Sequence, residues 1–119
     1  MDTLTLSGLQ YHARHGVYEK ERTEGNDFEV DLVFQAYLRN AGLDDSLSET
    51  IDYEQAEMIV RRVMEGPSVH LIETLVAKIG GELFNRFKQV GNLEVRVRKL
   101  SPPLGTPSKY SQVASTWTR

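Results

Sequence analysis

The feature that most constrains the fold is a long stretch of alternating side chains between Phe28 and Leu38. Every second residue from Phe28 onward is apolar, and most of the residues between them are polar. A period of two that is rich in aromatic and β-branched residues is typical of a strand with one buried face. Such a strand needs neighbouring strands and an apolar layer to cover it. The chain is therefore predicted to build a sheet with one face packed against helices or a second sheet.

Three further strands are predicted around this one. An earlier strand covers Leu4 to Ala13, with Gly8 as a possible bulge, and the polar segment Gly16 to Asp27 returns the chain as a long hairpin. Near the other end, Leu93, Val95 and Val97 alternate with charged residues, and a last strand covers Gln112 to Thr118.

Two helices are predicted between the second and third strands. Asp52 is placed to cap the first helix, Gln55 is placed to complete a capping box, and Gly66-Pro67 ends the helix. Ser68 is predicted to open the second helix. Apolar residues at helical spacing then give that helix a single buried stripe: Ile72, Leu75, Val76, Ile79, Leu83 and Phe87.

The predicted order is ββααββ, an α+β fold with a four-stranded, mostly antiparallel sheet and two helices on one face. We expect residues 1–119 to form one domain, since no repeat, linker or low-complexity tract divides them. The opposite face of the sheet is either solvated or lines the inside of a ring of subunits. It carries charged residues: Glu29, Asp31, Glu94, Arg96 and Arg98.

Composition narrows the functional classes. The 119 residues include 14 basic and 17 acidic side chains without charge blocks, which argues against nucleic-acid binding and against a membrane surface. There is no cysteine, so disulfides, thiolate metal sites and cysteine nucleophiles are excluded. The N-terminal residues lack the pattern of a signal peptide, and no apolar run approaches membrane-spanning length. We therefore expect a cytoplasmic protein.

Two charged residues lie where a buried charge would be unusual. Lys99 continues the inward register of the third strand, so it is either a proton-shuttling lysine or a strand-end lysine that reaches water. Glu73 lies in the first turn of the second helix, where the helix dipole alone stabilises a carboxylate. Its apolar neighbours also suit a carboxylate that accepts two parallel hydrogen bonds from a 2-amino-4-oxo pyrimidine edge.

Other polar residues carry weaker signals. Glu21 lies in a charged run that is typical of a solvated loop, and Tyr53 follows the predicted cap, where an aromatic ring can fix the helix to the core. On a strand, His12 and His15 would project from opposite faces, and no third ligand has metal-site spacing. We therefore predict no metal site.

Taken in order, several short motifs resemble the dihydroneopterin aldolase family from end to end. Single pieces are common, but the complete ordered set on a ββααββ pattern is specific. The motifs are His15-Gly16, Glu21, Gly25-Asn26, Phe28, Val30-Asp31, Thr50-Ile51-Asp52-Tyr53, Leu71-Ile72-Glu73, Lys99 and Pro102-Pro103-Leu104-Gly105. Departures are mild: Ile72 stands where the family often has Leu, and Asn26 where Gln is frequent.

The resemblance implies a T-fold whose subunits form tetrameric rings, two of which stack into a homo-octamer with active sites between subunits. By similarity, Glu73 and the backbone of Ile72 would hold the pterin, and Glu21 would bind the polar end of the substrate. Lys99 would be the catalytic lysine, and Tyr53 would come from the neighbouring subunit.

The implied reaction is a retro-aldol cleavage of 7,8-dihydroneopterin in folate biosynthesis, without metal or cofactor. The products would be 6-hydroxymethyl-7,8-dihydropterin and glycolaldehyde, with C2′ epimerisation as a possible side reaction. Three alternatives stay open. One is dihydroneopterin triphosphate epimerase, although the segment from Tyr18 to Asn26 offers only Lys20 and Arg22 to three phosphates. The second is a pterin-binding ring protein without catalysis, and the third is a purely structural ring-former.

Overall fold

The alternating stretch forms the strand β2 (Asn26–Ala36), which occupies an inner position of a four-stranded sheet. The computed structural model describes residues 1–119. Strand β1 (Asp2–Ala13) pairs with one side of β2, and β3 (Asn92–Leu100) pairs with the other. Strand β4 (Tyr110–Thr118) pairs with β3, and every pairing is antiparallel. The predicted sheet is thereby confirmed, with strand ends shifted by a few residues.

Four helices and one 3₁₀ turn connect the strands. Short α1 (Glu19–Glu24) joins β1 to β2, and short α2 (Arg39–Asp44) and a 3₁₀ turn (Leu47–Glu49) follow β2. The two main helices are α3 (Tyr53–Met64) and α4 (Ile72–Arg86). The α+β architecture is as predicted, whereas α1 and α2 were not predicted. None of the helices is long and apolar enough to cross a bilayer.

The core lies between the sheet and the two main helices. Helix α4 packs on β3 and β4, and α3 packs on α4 and β1. The apolar positions predicted for β2 and for α4 belong to one buried cluster in this layer, which explains why the two periodicities coexist in one chain. The largest fully buried side chains include Phe28, Phe34, Leu32, Ile51, Met64, Leu75, Ile79, Leu83 and Leu93.

Strand β1 contains the bulge predicted at Gly8. Its register against β2 shifts between Leu6 and Leu9, and Gly8 has a φ of +71°, a conformation that glycine adopts without steric cost. The freed amide of Gly8 donates to Oδ1 of Asp31 on β2 at 2.7 Å. A side chain thus replaces the backbone hydrogen bond that the bulge removes.

Two details of the helix starts differ from prediction. Asp52 caps α3 by accepting from the amides of Glu54 and Gln55, but the capping box is incomplete because Gln55 accepts from Arg86 instead. The prediction that Ser68 opens the second helix is wrong, since α4 begins at Ile72. The Ser68 hydroxyl donates to the carbonyl oxygen of Arg14, which holds this segment against the end of β1.

The charged face of the sheet is a network of ion pairs. Arg98 donates to Asp31 and lies 3.5 Å from a carboxylate oxygen of Glu29, and Arg96 pairs with Glu94. Asp31 is buried; burial opposes its ionisation, but the hydrogen bonds from Arg98 and Gly8 outweigh this and lower its pKa. A fully solvated face would not bury a carboxylate, so the face is partly closed even in one subunit.

Candidate active site

A buried ion pair joins helix α1 to the end of strand β3. Lys99 lies opposite Phe28 in the β2–β3 ladder, so its stem runs on the helix-covered side of the sheet, as its register predicted. Its Nζ donates to Oε2 of Glu21 at 2.7 Å, and only 12% of the Lys99 side chain and 8% of the Glu21 side chain are exposed. The solvated-loop interpretation of Glu21 is therefore wrong, and Lys99 ends on a carboxylate rather than in open water.

The environment of Glu21 keeps it ionised. Burial alone would favour the neutral acid, but the carboxylate accepts hydrogen bonds from Lys99, from Asn26 Nδ2 at 3.1 Å and from the amide of Tyr18 at 3.2 Å. These donors together lower the pKa of Glu21 below its ordinary value. The pair is a fixed carboxylate beside an amine, an arrangement that can hold and move a proton.

Gly16 allows this carboxylate to take its position. A Cβ atom on Gly16 would lie 2.5 Å from both Cδ and Oε1 of Glu21, closer than any non-bonded contact permits. The guanidinium of Arg22 donates to the carbonyl oxygen of Gly16 at 3.0 Å and also to that of Val17, and so closes the loop around Glu21. Residue patterns did not predict this role, although His15-Gly16 stood in the ordered motif set.

His15 is a second residue whose place sequence patterns missed. Its ring is buried edge-on to Phe28, with Nε2 2.7 Å from the carbonyl oxygen of Met64 and Nδ1 3.1 Å from the amide of Val69. Burial lowers the pKa of His15, and the charge of Lys78 acts in the same direction. His12, in contrast, is exposed and lies beside Asp27. The chain contains no cluster of three or more His, Cys, Asp or Glu side chains that could hold a metal ion.

Ile72 and Glu73, the candidate pterin anchor, begin α4, and Glu73 lies in the first turn of this helix as predicted. The Glu73 side chain is exposed and makes no hydrogen bond or ion pair within the chain. The segment before it is tied to the Glu21 loop, because the amide of Gly16 donates to the carbonyl oxygen of Val69 at 2.9 Å. The free carboxylate of Glu73 thus lies at the same end of the molecule as the Glu21–Lys99 pair.

Tyr53 lies elsewhere. It is the first residue of α3 and 55% exposed, whereas the last residue of that helix, Met64, contacts His15 beside the Glu21 loop. A helix of this length spans about 18 Å. A surface cavity of about 590 Å³ flanks this far end, lined by Asp52, Gln55 and other residues. One chain therefore brings Glu21, Lys99, Ile72 and Glu73 to one end and leaves Tyr53 at the other.

The fold and the site together define an α+β protein of the T-fold class with a carboxylate–lysine pair suited to proton transfer. Residues 4–116 match the profile of the protein family described as FolB, dihydroneopterin aldolase. The chain belongs to the dihydroneopterin aldolase family, and it is an enzyme, an aldolase of folate biosynthesis.

Individual relatives agree with this assignment. The chain is 35% identical to dihydroneopterin aldolase of Bacillus subtilis (strain 168) over 119 residues, covering 100% of this chain and 98% of the relative. Its fold matches Escherichia coli dihydroneopterin aldolase in complex with neopterin, with a TM-score of 0.90, 20% identity and coverage of 98% and 99%. It also matches the Burkholderia thailendensis dihydroneopterin aldolase bound to guanine, with a TM-score of 0.81, 18% identity and coverage of 99% and 91%.

Proposed function

We propose that the Glu21–Lys99 pair is the proton-transfer centre at which this aldolase cleaves 7,8-dihydroneopterin. The observation that supports this most directly is the 2.7 Å contact between Lys99 Nζ and the carboxylate of Glu21, with both side chains largely removed from water. An amine held in one place by a fixed carboxylate is positioned to exchange protons with a bound substrate.

The substrate itself supplies the electron sink. As the C2′ hydroxyl loses its proton, the C1′–C2′ bond breaks, and its electron pair moves into the C6=N5 imine of the dihydropterin to give an enamine. Glycolaldehyde leaves with C2′ and C3′. Protonation of C1′ then gives 6-hydroxymethyl-7,8-dihydropterin. The protein therefore has to orient the side chain of the pterin and to move one proton away from the C2′ oxygen and one onto C1′.

Lys99 and Glu21 divide these tasks. Lys99 carries the mobile proton on Nζ, and Glu21 fixes that nitrogen and binds the hydroxyl end of the substrate. The three donors on Glu21 keep it an acceptor at neutral pH, so it orients the amine instead of competing for its proton. General acid–base groups of this kind typically contribute about 10²–10⁴-fold to the rate.

Glu73 and the backbone of Ile72 are proposed to bind the pterin ring. The 2-amino group and N3–H of a pterin form two parallel donors that match one carboxylate. The exposed Glu73 carboxylate has no partner within the chain and is free to accept both. Neopterin in the E. coli relative and guanine in the Burkholderia relative both carry such an edge, which supports a pterin as the ligand here.

A complete site is proposed to need a second subunit. Tyr53 is separated from Lys99 within one chain but would reach it from a neighbour in a ring, where it serves as a second proton carrier. Strands β1 and β4 are the edge strands of the sheet, and the outer side of each has no partner strand within the chain, so these edges are available to join subunits. We propose a homo-octamer of two tetrameric rings. Each subunit contributes one domain, residues 1–119, with the ion-paired sheet face toward the pore, and the enzyme works in the cytoplasm.

The triphosphate epimerase alternative is less compatible with the loop around Glu21. Arg22, one of two basic residues there, already donates to the carbonyl oxygens of Gly16 and Val17. The other, Lys20, lies 3.9 Å from Glu24 on the exposed face of α1. Neither is arranged to hold three phosphates. Epimerisation at C2′ stays a possible side reaction, because re-addition of glycolaldehyde to the opposite face would reverse the same cleavage.

The test is a product assay with 7,8-dihydroneopterin and no added metal. Wild-type protein should form 6-hydroxymethyl-7,8-dihydropterin and glycolaldehyde in equal amounts. Lys99→Ala should reduce kcat by about 10²–10⁴-fold while largely retaining neopterin affinity. Near-normal turnover in this variant would remove Lys99 from the mechanism. Formation of the C2′ epimer alone would indicate an isomerase, and binding without turnover a pterin-binding protein.

A further inference from the structure

Both ring nitrogens of the buried His15 are engaged by backbone groups. Nε2 lies 2.7 Å from the carbonyl oxygen of Met64, and Nδ1 lies 3.1 Å from the amide nitrogen of Val69. A carbonyl oxygen can only accept and an amide can only donate, so the proton is on Nε2 and the lone pair of Nδ1 faces Val69. The contacts thus select one neutral tautomer. In this form the ring is hydrogen-bonded to two backbone segments at once, the end of α3 at Met64 and the segment before α4 at Val69.

The segment that His15 contacts through Nδ1 leads into the proposed pterin anchor. Val69 precedes Ile72 by three residues, and its carbonyl oxygen also accepts from the amide of Gly16 at 2.9 Å. The Ser68 hydroxyl donates to the carbonyl oxygen of Arg14. Residues 68–69 are therefore fixed to residues 14–16 by three hydrogen bonds, and in one of them the acceptor is the imidazole Nδ1 of His15.

The backbone of His15 is also connected, through Asn26, to the Glu21–Lys99 pair. Its carbonyl oxygen accepts from Asn26 Nδ2 at 2.9 Å, and the same amide group donates to Oε2 of Glu21 at 3.1 Å. Oε2 of Glu21 also accepts from Lys99 Nζ. One continuous chain of hydrogen bonds therefore runs from Val69 through His15 and Asn26 to the Glu21–Lys99 pair.

We propose that His15 is a positioning residue that sets the distance between the pterin-anchoring segment 69–73 and the Glu21–Lys99 pair. This inference rests on the proposed function of both groups. In the free chain Glu73 has no partner to fix it, so its place depends on the segment that precedes it. The imidazole of His15 holds that segment through its hydrogen bond to the Val69 amide, and Asn26 holds the backbone of His15 through its carbonyl oxygen.

Two variants distinguish the two hydrogen bonds that the His15 ring makes. In His15→Asn the side-chain oxygen can replace Nδ1 and still accept from Val69, but the bond to Met64 is lost. In His15→Gln the side-chain nitrogen can replace Nε2 and still donate to Met64, but Val69 loses its acceptor. We expect His15→Gln to weaken neopterin binding about fivefold to tenfold, and to raise KM more than it lowers kcat. His15→Asn should bind neopterin nearly as the wild type does.

Amide hydrogen exchange tests the positioning separately from the ligand. His15→Gln should lose protection at the hydrogen-bonded amides of Val69 and Thr74 and at the Gly16 amide that donates to Val69, whereas His15→Asn should retain it. Equal effects of the two substitutions on affinity and exchange would overturn the proposal and reduce His15 to a packing residue. If Glu73→Ala leaves neopterin affinity unchanged, the proposed anchor is wrong, and exchange in the Gln variant alone then decides whether His15 positions the segment.

Discussion

The two glutamates of the site differ in what surrounds their carboxylates. Glu21 accepts from Lys99, Asn26 and Tyr18, whereas Glu73 accepts from no group of the chain. A buried carboxylate with three donors is part of the folded structure, and a free one at a helix start is available to a ligand. Substitution of the two residues should therefore affect different measured quantities.

Replacing Glu73 should mainly affect binding. In Glu73→Ala the pterin loses the acceptor for two donors, which would cost about 2–3 kcal/mol, or roughly 30- to 150-fold in neopterin affinity. Thermal stability should change little, because the side chain has no partner within the chain. Neopterin titration by fluorescence, beside a melting curve for each protein, measures both. An affinity equal to that of the wild type would show that the pterin edge binds elsewhere.

Gly16 should control the position of Glu21. In Gly16→Ala the new Cβ would fall 2.5 Å from the carboxylate of Glu21, so this group has to leave Lys99. We expect kcat to fall by about tenfold or more, because a misplaced proton carrier loses its oriented contact. Gly42→Ala is the matched control, since a Cβ at Gly42 has no atom within 4 Å. Equal kcat values for the two variants would contradict this role.

At the scale of secondary-structure elements, helix α4 meets strand β4 at a glycine. A Cβ on Gly80 would lie 2.0 Å from the indole of Trp117, while the next residue, Gly81, faces open space. The helix and the sheet approach so closely here that the ring fills the space of the missing side chain. This contact fixes the distance of α4, and with it Glu73, from the sheet.

The two adjacent glycines give opposite predictions. Gly80→Ala should destabilise the protein by about 1–3 kcal/mol, because the core has to accommodate an extra methyl group against a rigid ring. Gly81→Ala should stabilise it by about 0.5–1 kcal/mol through helix propensity. Urea denaturation at one fixed protein concentration measures both free energies of unfolding. Destabilisation of equal size in both variants would mean that the Trp117 contact does not decide the outcome.

Local patterns predicted the elements whose burial repeats along the chain. Strand β2 and the apolar stripe of α4 each carry several regularly spaced apolar residues. A period of two residues identifies the strand, and a period of about 3.6 residues identifies the helix. The register of Lys99 followed in the same way. Helix α1 has no apolar residue in its sequence and was missed, because it is held by the contact of Glu21 with Lys99, 78 positions away.

A contact between residues far apart in the sequence also explains the wrong prediction at Ser68. A serine before an apolar helical pattern is a common cap, but this hydroxyl bonds to Arg14, 54 positions earlier, and the helix starts four residues later. Which residues would gather at the site was indicated only by the family resemblance. Side-chain bonds between distant segments leave no periodic trace in the sequence.

At the scale of the whole molecule, the position of Tyr53 separates a one-chain site from a shared one. Glu21 and Lys99 lie together, and α3 carries Tyr53 about 18 Å away from the end of the helix that contacts His15. If Tyr53 is catalytic, it has to reach a neighbouring subunit. A ring built from one repeated interface supplies the same neighbour to every site.

Mixed assemblies of two inactive variants test this arrangement. We expect Lys99→Ala and Tyr53→Phe chains to be nearly inactive alone, but unfolded together and refolded in equal amounts they should regain about a quarter of wild-type activity. Random mixing gives about one interface in four an intact Lys99 and an intact Tyr53 from different chains. Lys99→Ala mixed with Glu21→Gln is the matched control. It should stay as inactive as either variant alone, because both defects lie on the same side of the interface. Sites made within one chain would give no recovery in either mixture, since every chain would carry a defect.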